Sequence, residues 1–429
     1  MDLAWISVGA LLVAILVSCT SRINVGFLAL VMAWLVGVYL GGLTVGEILS
    51  GFPAQLFLTL VGVTLLFSEA RANGTLDLVA QRAVQACRGN VGLIPVVFFF
   101  IAVALASIGA GNIAAAALIA PMAMATAGRV GISAFLMTIM VGNGANAGGL
   151  SPFAPTGIIV NGLMDRIGLG GMELQTYLNC FIAHTFVGFS GYLIFGGWRL
   201  FSKNSRQTGS DVPSVSSSLN SEAEPVQESS FELKHGVTLS VIGGLIFGVL
   251  FFDVHVGMGA FAGAVLLTLL RMADEVSAVK MMPWGPILMV SGVTVLIGLL
   301  EKTGGLALFT DFLARFSSQG SVTAVVAFVT GLISAYSSTS GVVLPAFLPT
   351  VPGLVERLGG GDPWAVASAM NVGAHLVDVS PISTIGALCV AAAPSWEDHR
   401  LLFNKVLAWG LSMSVVGAAF CYVRFGLLG

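Results

Sequence analysis

Residues 93–127 read LIPVVFFFIAVALASIGAGNIAAAALIAPMAMATA. The run is apolar at both ends and interrupted in the middle by Ser107-Ile108-Gly109-Ala110-Gly111-Asn112. A membrane span takes about 20 apolar residues. The run is therefore too short for two spans and too long for one. Non-helical backbone survives at membrane depth only where protein or a wet cavity satisfies its polar groups. The expected structure is a re-entrant hairpin whose tip lies inside the protein. A second run, 320–350, has the same form and is broken by Ser334-Ala335-Tyr336-Ser337-Ser338-Thr339-Ser340-Gly341. Each hairpin carries a proline in its second arm, Pro121 in one and Pro345 in the other.

The rest of the chain agrees with a membrane solvent. Of 429 residues, 56% are hydrophobic and only 9% charged, whereas soluble domains carry about 25% charged residues. So few charges cannot cover a water-soluble globule of this length. Further apolar runs lie near 3–19, 23–41, 54–68, 133–160, 177–200, 236–252, 256–271, 284–300, 364–393 and 400–424. The start, Met1-Asp2-Leu3, has no basic leader, so 3–19 is expected to stay as a spanning helix. A net charge of -3 without a basic, aromatic-laced patch excludes nucleic acid as a partner. The five cysteines are scattered, with neither a disulfide framework nor zinc-ligand spacing.

One polar stretch, 202–234, is rich in Ser, Glu and Pro and cannot bury enough apolar surface to order itself. It divides the chain into 1–201 and 235–429. Asn143-Gly144-Ala145-Asn146 before Ser151-Pro152 matches Asn371-Val372-Gly373-Ala374-His375 before Ser380-Pro381. Each half reads as three spans, a hairpin, a broken span and a final span. Hairpins return to their own side, so each half crosses an odd number of times and the halves are inverted. Inverted repeats with paired broken helices point to a secondary transporter and to its site. Arg22, Arg71, Arg82, Arg88, Arg129, Arg199, Lys203, Arg206, Lys234, Arg271 and Lys280 fall on one side of this threading. The positive-inside rule then makes the linker cytoplasmic in a multi-pass protein of the cell inner membrane. Residues 69–90 and 301–318 read as amphipathic surface helices, with Glu69, Arg71 and Arg82 on a wet face.

Polar residues at membrane depth gather at the two hairpin tips and the two broken spans. A broken helix exposes N–H groups at one new end, which hold carboxylates. It exposes C=O groups at the other end, which with Ser, Thr and Asn oxygens suit Na+. The candidate substrate-binding residues are Asn112, Asn143, Asn146, Ser151, Thr156, Ser337, Ser338, Thr339, Ser383 and Thr384. The candidate cation-binding residues are Ser107, Gly109, Asn112, Gly144, Asn146, Ser337, His375 and Asp378. No Lys or Arg lies in these clusters, so a bound dianion needs a co-bound cation, Na+ or H+. Hydroxyls in membrane helices also commonly bond their own backbone. His184, alone in a span, reads as a packed structural histidine. Asp378, ionisable in an apolar span, is functional by default.

With the run Asn143–Gly157, NGANAGGLSPFAPTG, on the page, the chain resembles the malonate/dicarboxylate carrier family of the ion transporter superfamily, related to the divalent-anion/sodium symporters. The resemblance spans nearly the whole chain. It implies an all-α, inverted-repeat, elevator-type transporter, usually a homodimer in the lipid bilayer, that moves a small dicarboxylate with a coupling cation. In the symporter relatives a Ser-Asn-Thr motif at the hairpin tips binds carboxylate. Here Asn112 matches that motif and its neighbours do not, and Tyr336-Ser337 stands where Asn-Thr is expected. The expected function is cation-coupled uptake of malonate or another small dicarboxylate. No enzyme activity and no cofactor beyond the coupling ion are expected. A cation/proton antiporter using Asp378, or a permease subunit of a binding-protein-dependent transporter, remains an alternative. A hydrolase built on Ser151, His375 and Asp378 lacks any nucleophile motif.

Overall fold

The computed structural model describes residues 2–21, 23–85, 91–200, 231–394 and 397–428. The polar linker, up to residue 230, lies outside the described residues. Among the described residues all regular structure is helical, without strands, and seven helical stretches are long and apolar enough to cross a membrane. That is fewer than the apolar runs in the sequence. Several runs are cut into shorter helices, such as Val256–Leu269 and Val322–Ser334, by their own breaks.

The helices used below are, in the first half, α1 (Leu3–Thr20), α2 (Val25–Trp34), α3 (Ala54–Ala72), α4 (Thr75–Gln85), α5 (Leu93–Leu105), α6 (Gly111–Val130), α7 (Ala134–Gly149), α8 (Pro155–Arg166) and α9 (Glu173–Ile194). In the second half they are α10 (Leu233–Phe252), α11 (Val256–Leu269), α12 (Trp284–Thr303), α13 (Gly305–Ala314), α14 (Val322–Ser334), α15 (Leu344–Phe347), α16 (Val351–Arg357), α17 (Pro363–Leu376), α18 (Thr384–Ala391) and α19 (His399–Cys421). Local chemistry starts several of them. Asn24 accepts from Gly26 N at 2.9 Å, and Asp362 accepts from Trp364 N at 2.9 Å with Pro363 in the first helical position.

Two reciprocal crossings join the halves. α2 packs on α12, and α3 packs on α11. At the first, a Cβ on Gly26 would sit 2.2 Å from Leu288 O, and one on Gly292 would sit 2.0 Å from Gly26 O. At the second, a Cβ on Gly62 would sit 2.4 Å from Gly257 O. No hydrophobic force drives helices together in lipid, so such close backbone approach supplies the packing.

The remaining helices surround the breaks. α5 and α6 pack on each other and both pack on α7. The chain reverses between them at Gly109 (φ 125°) and Gly111 (φ 80°), conformations that side chains with a Cβ rarely adopt. In the second half α14 and the return arm through α15 and α16 all pack on α17.

The surface-helix reading of 69–90 holds only in part. α3 continues to Ala72, and Glu69 on it is buried at 1% exposure, accepting the Thr268 hydroxyl at 2.9 Å. Its neighbours on α11 cover it, so it is not on a wet face. From Thr75 onward the amphipathic pattern returns, with Asp77 and Arg82 exposed and Leu76 and Leu78 buried.

Candidate functional site

The first hairpin tip is organised by one amide. Asn112, 6% exposed, donates from Nδ2 to Asn146 Oδ1 at 2.9 Å. Its Oδ1 accepts from Ile113 N at 3.0 Å and from the Thr156 hydroxyl at 3.3 Å. A single side chain thus ties the tip to α7 and to α8, the two pieces of the first broken helix. Behind it Ser151 donates to Ser107 O at 2.6 Å, and Phe153 N donates to Ser151 Oγ at 3.3 Å.

The second tip has the same plan with different chemistry. The Thr339 hydroxyl donates to Asp378 Oδ1 at 2.6 Å and also meets Ser334 Oγ. Gly341 N donates to Ser338 Oγ at 3.1 Å. In the second break Ser383 donates to Ser380 O at 2.9 Å and to Asp378 O.

Both tips and both breaks line one cavity of about 240 Å³. Asn112 and Ile113 open α6, Thr156 lies in the first turn of α8, Thr339 begins the return arm of the second hairpin, and Thr384 opens α18. Four helix N-termini therefore meet at one space. Those of α6, α8 and α18 have no side-chain cap, because Ala110, Ala154 and Ser383 make no capping bond. Uncapped first-turn N–H groups carry partial positive charge and favour anions. Among the described residues no Lys or Arg lines the cavity, and Asp378 supplies the one carboxylate there.

Of the candidate residues, Asn112, Thr156, Ser337, Ser338, Thr339, Asp378, Ser383 and Thr384 line this cavity. Asn146 stands one bond behind it, on Asn112, whereas Ser107 and Ser151 bond each other and do not line it. The others lie elsewhere. A Cβ on Gly109 would sit 2.1 Å from Phe67, and one on Gly144 would sit 2.4 Å from Phe99 O. Both glycines lie at tight packing contacts. Asn143 donates to Ile139 O at 2.9 Å, and its Oδ1 faces His184 Nδ1 at 2.9 Å. His375 places Nδ1 2.8 Å from Asn371 O, a carbonyl that only accepts, so Nδ1 carries the proton. The sequence reading missed Ser18 and Ser21 at the end of α1 and Met289 on α12, which also line the cavity.

The Asn143–His184 pair yields a stability test. Asn143 spends its donor on Ile139 O, so its Oδ1 needs the His184 proton. His184→Leu is expected to destabilise the protein by about 1–3 kcal/mol, the cost of a buried acceptor left alone. The double change His184→Leu/Asn143→Leu should recover part of that loss. Melting of the detergent-purified protein checks it; equal melting of wild type and His184→Leu would refute it.

Comparison with known proteins places this geometry. An uncharacterized transporter of Mycobacterium tuberculosis is 23% identical over 402 residues, covering 89% of this chain and 88% of its own length. One of Mycobacterium bovis is 23% identical over 372 residues, covering 82% of each chain. Among solved structures, that of the Alcanivorax borkumensis YdaH transporter, described as revealing an unusual topology, is similar with a TM-score of 0.58 at 15% identity. The match covers 91% of this chain and 88% of that one, and is a likeness of fold. The chain is a multi-pass membrane protein with the fold of a transporter. Within that class, residues 1–149 match the family model described as "Dicarboxylate carrier protein MatC N-terminus".

Proposed function

We propose that this chain is a secondary active transporter that takes up malonate or another small dicarboxylate coupled to a cation. The observation that carries the reading is the meeting of four helix N-termini at one cavity. Each N-terminus is equivalent to roughly +0.5 charge, so the three without a side-chain cap offer about one and a half charges to a dianion. Asp378 subtracts one when ionised, which is where a coupling Na+ or H+ enters. The match of residues 1–149 to a dicarboxylate carrier model supports the substrate class.

In this mechanism the anion is held by Asn112, Thr156, Ser337, Ser338, Ser383 and Thr384. The coupling cation sits among Ser107, Asn112, Asn146, Thr339 and Asp378. With charges balanced, the hairpins and broken helices move as one body past the frame of α2, α3, α11 and α12, an elevator step. Units 1–201 and 235–429 act as inverted repeats, with the linker cytoplasmic, in a homodimer of the inner membrane.

Purified protein in liposomes, given labelled malonate, tests this. Accumulation should require either a Na+ or a proton gradient and no soluble partner protein; indifference to every cation gradient would overturn coupling. Asp378→Asn should weaken gradient-driven accumulation by roughly tenfold or more, as expected for losing a charged hydrogen-bond acceptor worth about 1.5–3 kcal/mol. Asp378 in the cavity also favours a second reading, a cation/proton antiporter. Cation exchange without malonate, abolished by Asp378→Asn, would select it.

A further inference from the structure

The last turn of α1 ends in Ser18-Cys19-Thr20-Ser21. Hydroxyls in such a turn commonly bond their own helix carbonyls. Thr20 does so with Leu16 O at 2.8 Å, and Ser21 with Val17 O at 2.9 Å. Ser18 does not. Its Oγ lies 2.7 Å from Ser337 Oγ, on the tip of the second hairpin, and both residues line the cavity. α1 packs chiefly on α2, α12 and α13 and touches the return arm of the second hairpin, so in the elevator reading Ser18 moves with the frame and Ser337 with the hairpin body.

The pair has one hydroxyl hydrogen to spare. Whichever serine donates, the other keeps a hydrogen that neither spends on a further hydrogen bond within the protein. A carboxylate oxygen is the acceptor that such a donor at an anion cavity fits best. Among the described residues, the other polar groups lining the cavity, Ser21 apart, come from the tips and breaks. A dianion whose first carboxylate sits at the helix N-termini turns its second toward the frame.

We propose that Ser18 is a specificity-determining residue: with Ser337 it binds the second carboxylate of the transported dianion, and it closes the cavity from the frame side. This rests on the dicarboxylate reading above. Because Ser18 and Ser337 stand on different bodies, their contact breaks whenever the hairpin body moves. Selection for the second carboxylate therefore operates in one position of the cycle and is released in the other.

The test uses full-length protein in liposomes with labelled malonate and succinate. Ser18→Ala should raise the malonate concentration for half-maximal uptake about tenfold, equivalent to about 1.4 kcal/mol, while the maximal rate stays. Thr20→Ala, whose hydroxyl bonds only its own helix, should leave both unchanged. An unchanged half-maximal concentration in Ser18→Ala, with active wild type, would overturn the inference alone. Wild type that takes up neither dianion would overturn the dicarboxylate reading, and this inference with it. The pair Ser18→Cys/Ser337→Cys, made with Cys19→Ser, gives a second measure. Oxidation should stop uptake and reduction restore it. A cross-linked carrier that transports as fast as the reduced one would refute the separation of the two bodies at this contact.

Discussion

Gly157→Ala is expected to leave little folded protein in the membrane. A Cβ at this position would lie 1.9 Å from Ser151 O, 2.7 Å from Ser151 C and 2.8 Å from Leu150 C. All three are backbone atoms, so no side chain can swing aside. The segment Leu150–Ser151 cannot yield cheaply either. Ser151 is fixed by its bond to Ser107 O, so displacing it drags the first hairpin tip. Overpacking a well-filled site costs about 1–3 kcal/mol, and more where backbone must shift. Against a total stability of about 5–15 kcal/mol that is a large fraction. The second break has the same geometry, with a Cβ on Gly386 placed 2.2 Å from Ser380 O, and Gly386→Ala should fail in the same way. Gly9 and Gly243 supply controls, since nothing lies within 4 Å of a Cβ at either. Gly9→Ala and Gly243→Ala should express normally, each gaining up to about 1 kcal/mol from helix propensity. Yield of monodisperse protein after detergent extraction, followed by melting, separates the two groups. Gly157→Ala with wild-type yield and melting would show that the break between α7 and α8 is looser than described.

The breaks were legible in the sequence because their cause is local. Gly109, Gly111, Ser151-Pro152 and Ser380-Pro381 interrupt apolar runs at membrane depth, and only a few residue types do that. The side of a helix that meets the cavity was not legible. All 16 residues of α7 are buried, so no amphipathic stripe distinguishes Asn143 from Asn146. Asn146 reaches the hairpin tip, whereas Asn143 turns to His184. Glu69 was misplaced for a related reason: a carboxylate near a helix end looks solvated until the Thr268 hydroxyl of another helix is seen above it. Ser18 was missed because a hydroxyl at the end of a span resembles an ordinary interfacial residue. Its partner lies 319 residues away, and no spacing rule reaches that far.

Asn112→Asp should abolish anion transport while leaving the fold intact, and the contrast with Asn112→Ala isolates the reason. The two changes remove different parts of the same hub. Asp keeps an oxygen to accept from Ile113 N and from the Thr156 hydroxyl, and a negative charge strengthens both bonds. It loses the donor to Asn146 Oδ1, but Asn146 Nδ2, buried without a partner, can donate to the new carboxylate once its amide turns. A carboxylate at the start of α6 is also favoured by the helix dipole. Melting of Asn112→Asp should therefore stay close to wild type. Binding should not survive. The new charge offsets the positive end of α6, at a cavity that already holds Asp378 and, among the described residues, no Lys or Arg. Two like charges about 4 Å apart at an effective dielectric near 20 repel by about 4 kcal/mol, which weakens an anion by roughly a thousandfold. Asn112→Ala adds no charge but removes all three bonds, so it should lower the melting temperature and bind anions only moderately worse. Malonate-induced thermal shifts and liposome uptake read both outcomes. A transporter reading built on helix N-termini requires Asn112→Asp to be stable and inactive; an Asn112→Asp protein that takes up malonate with wild-type affinity would mean the anion never approaches the first hairpin tip.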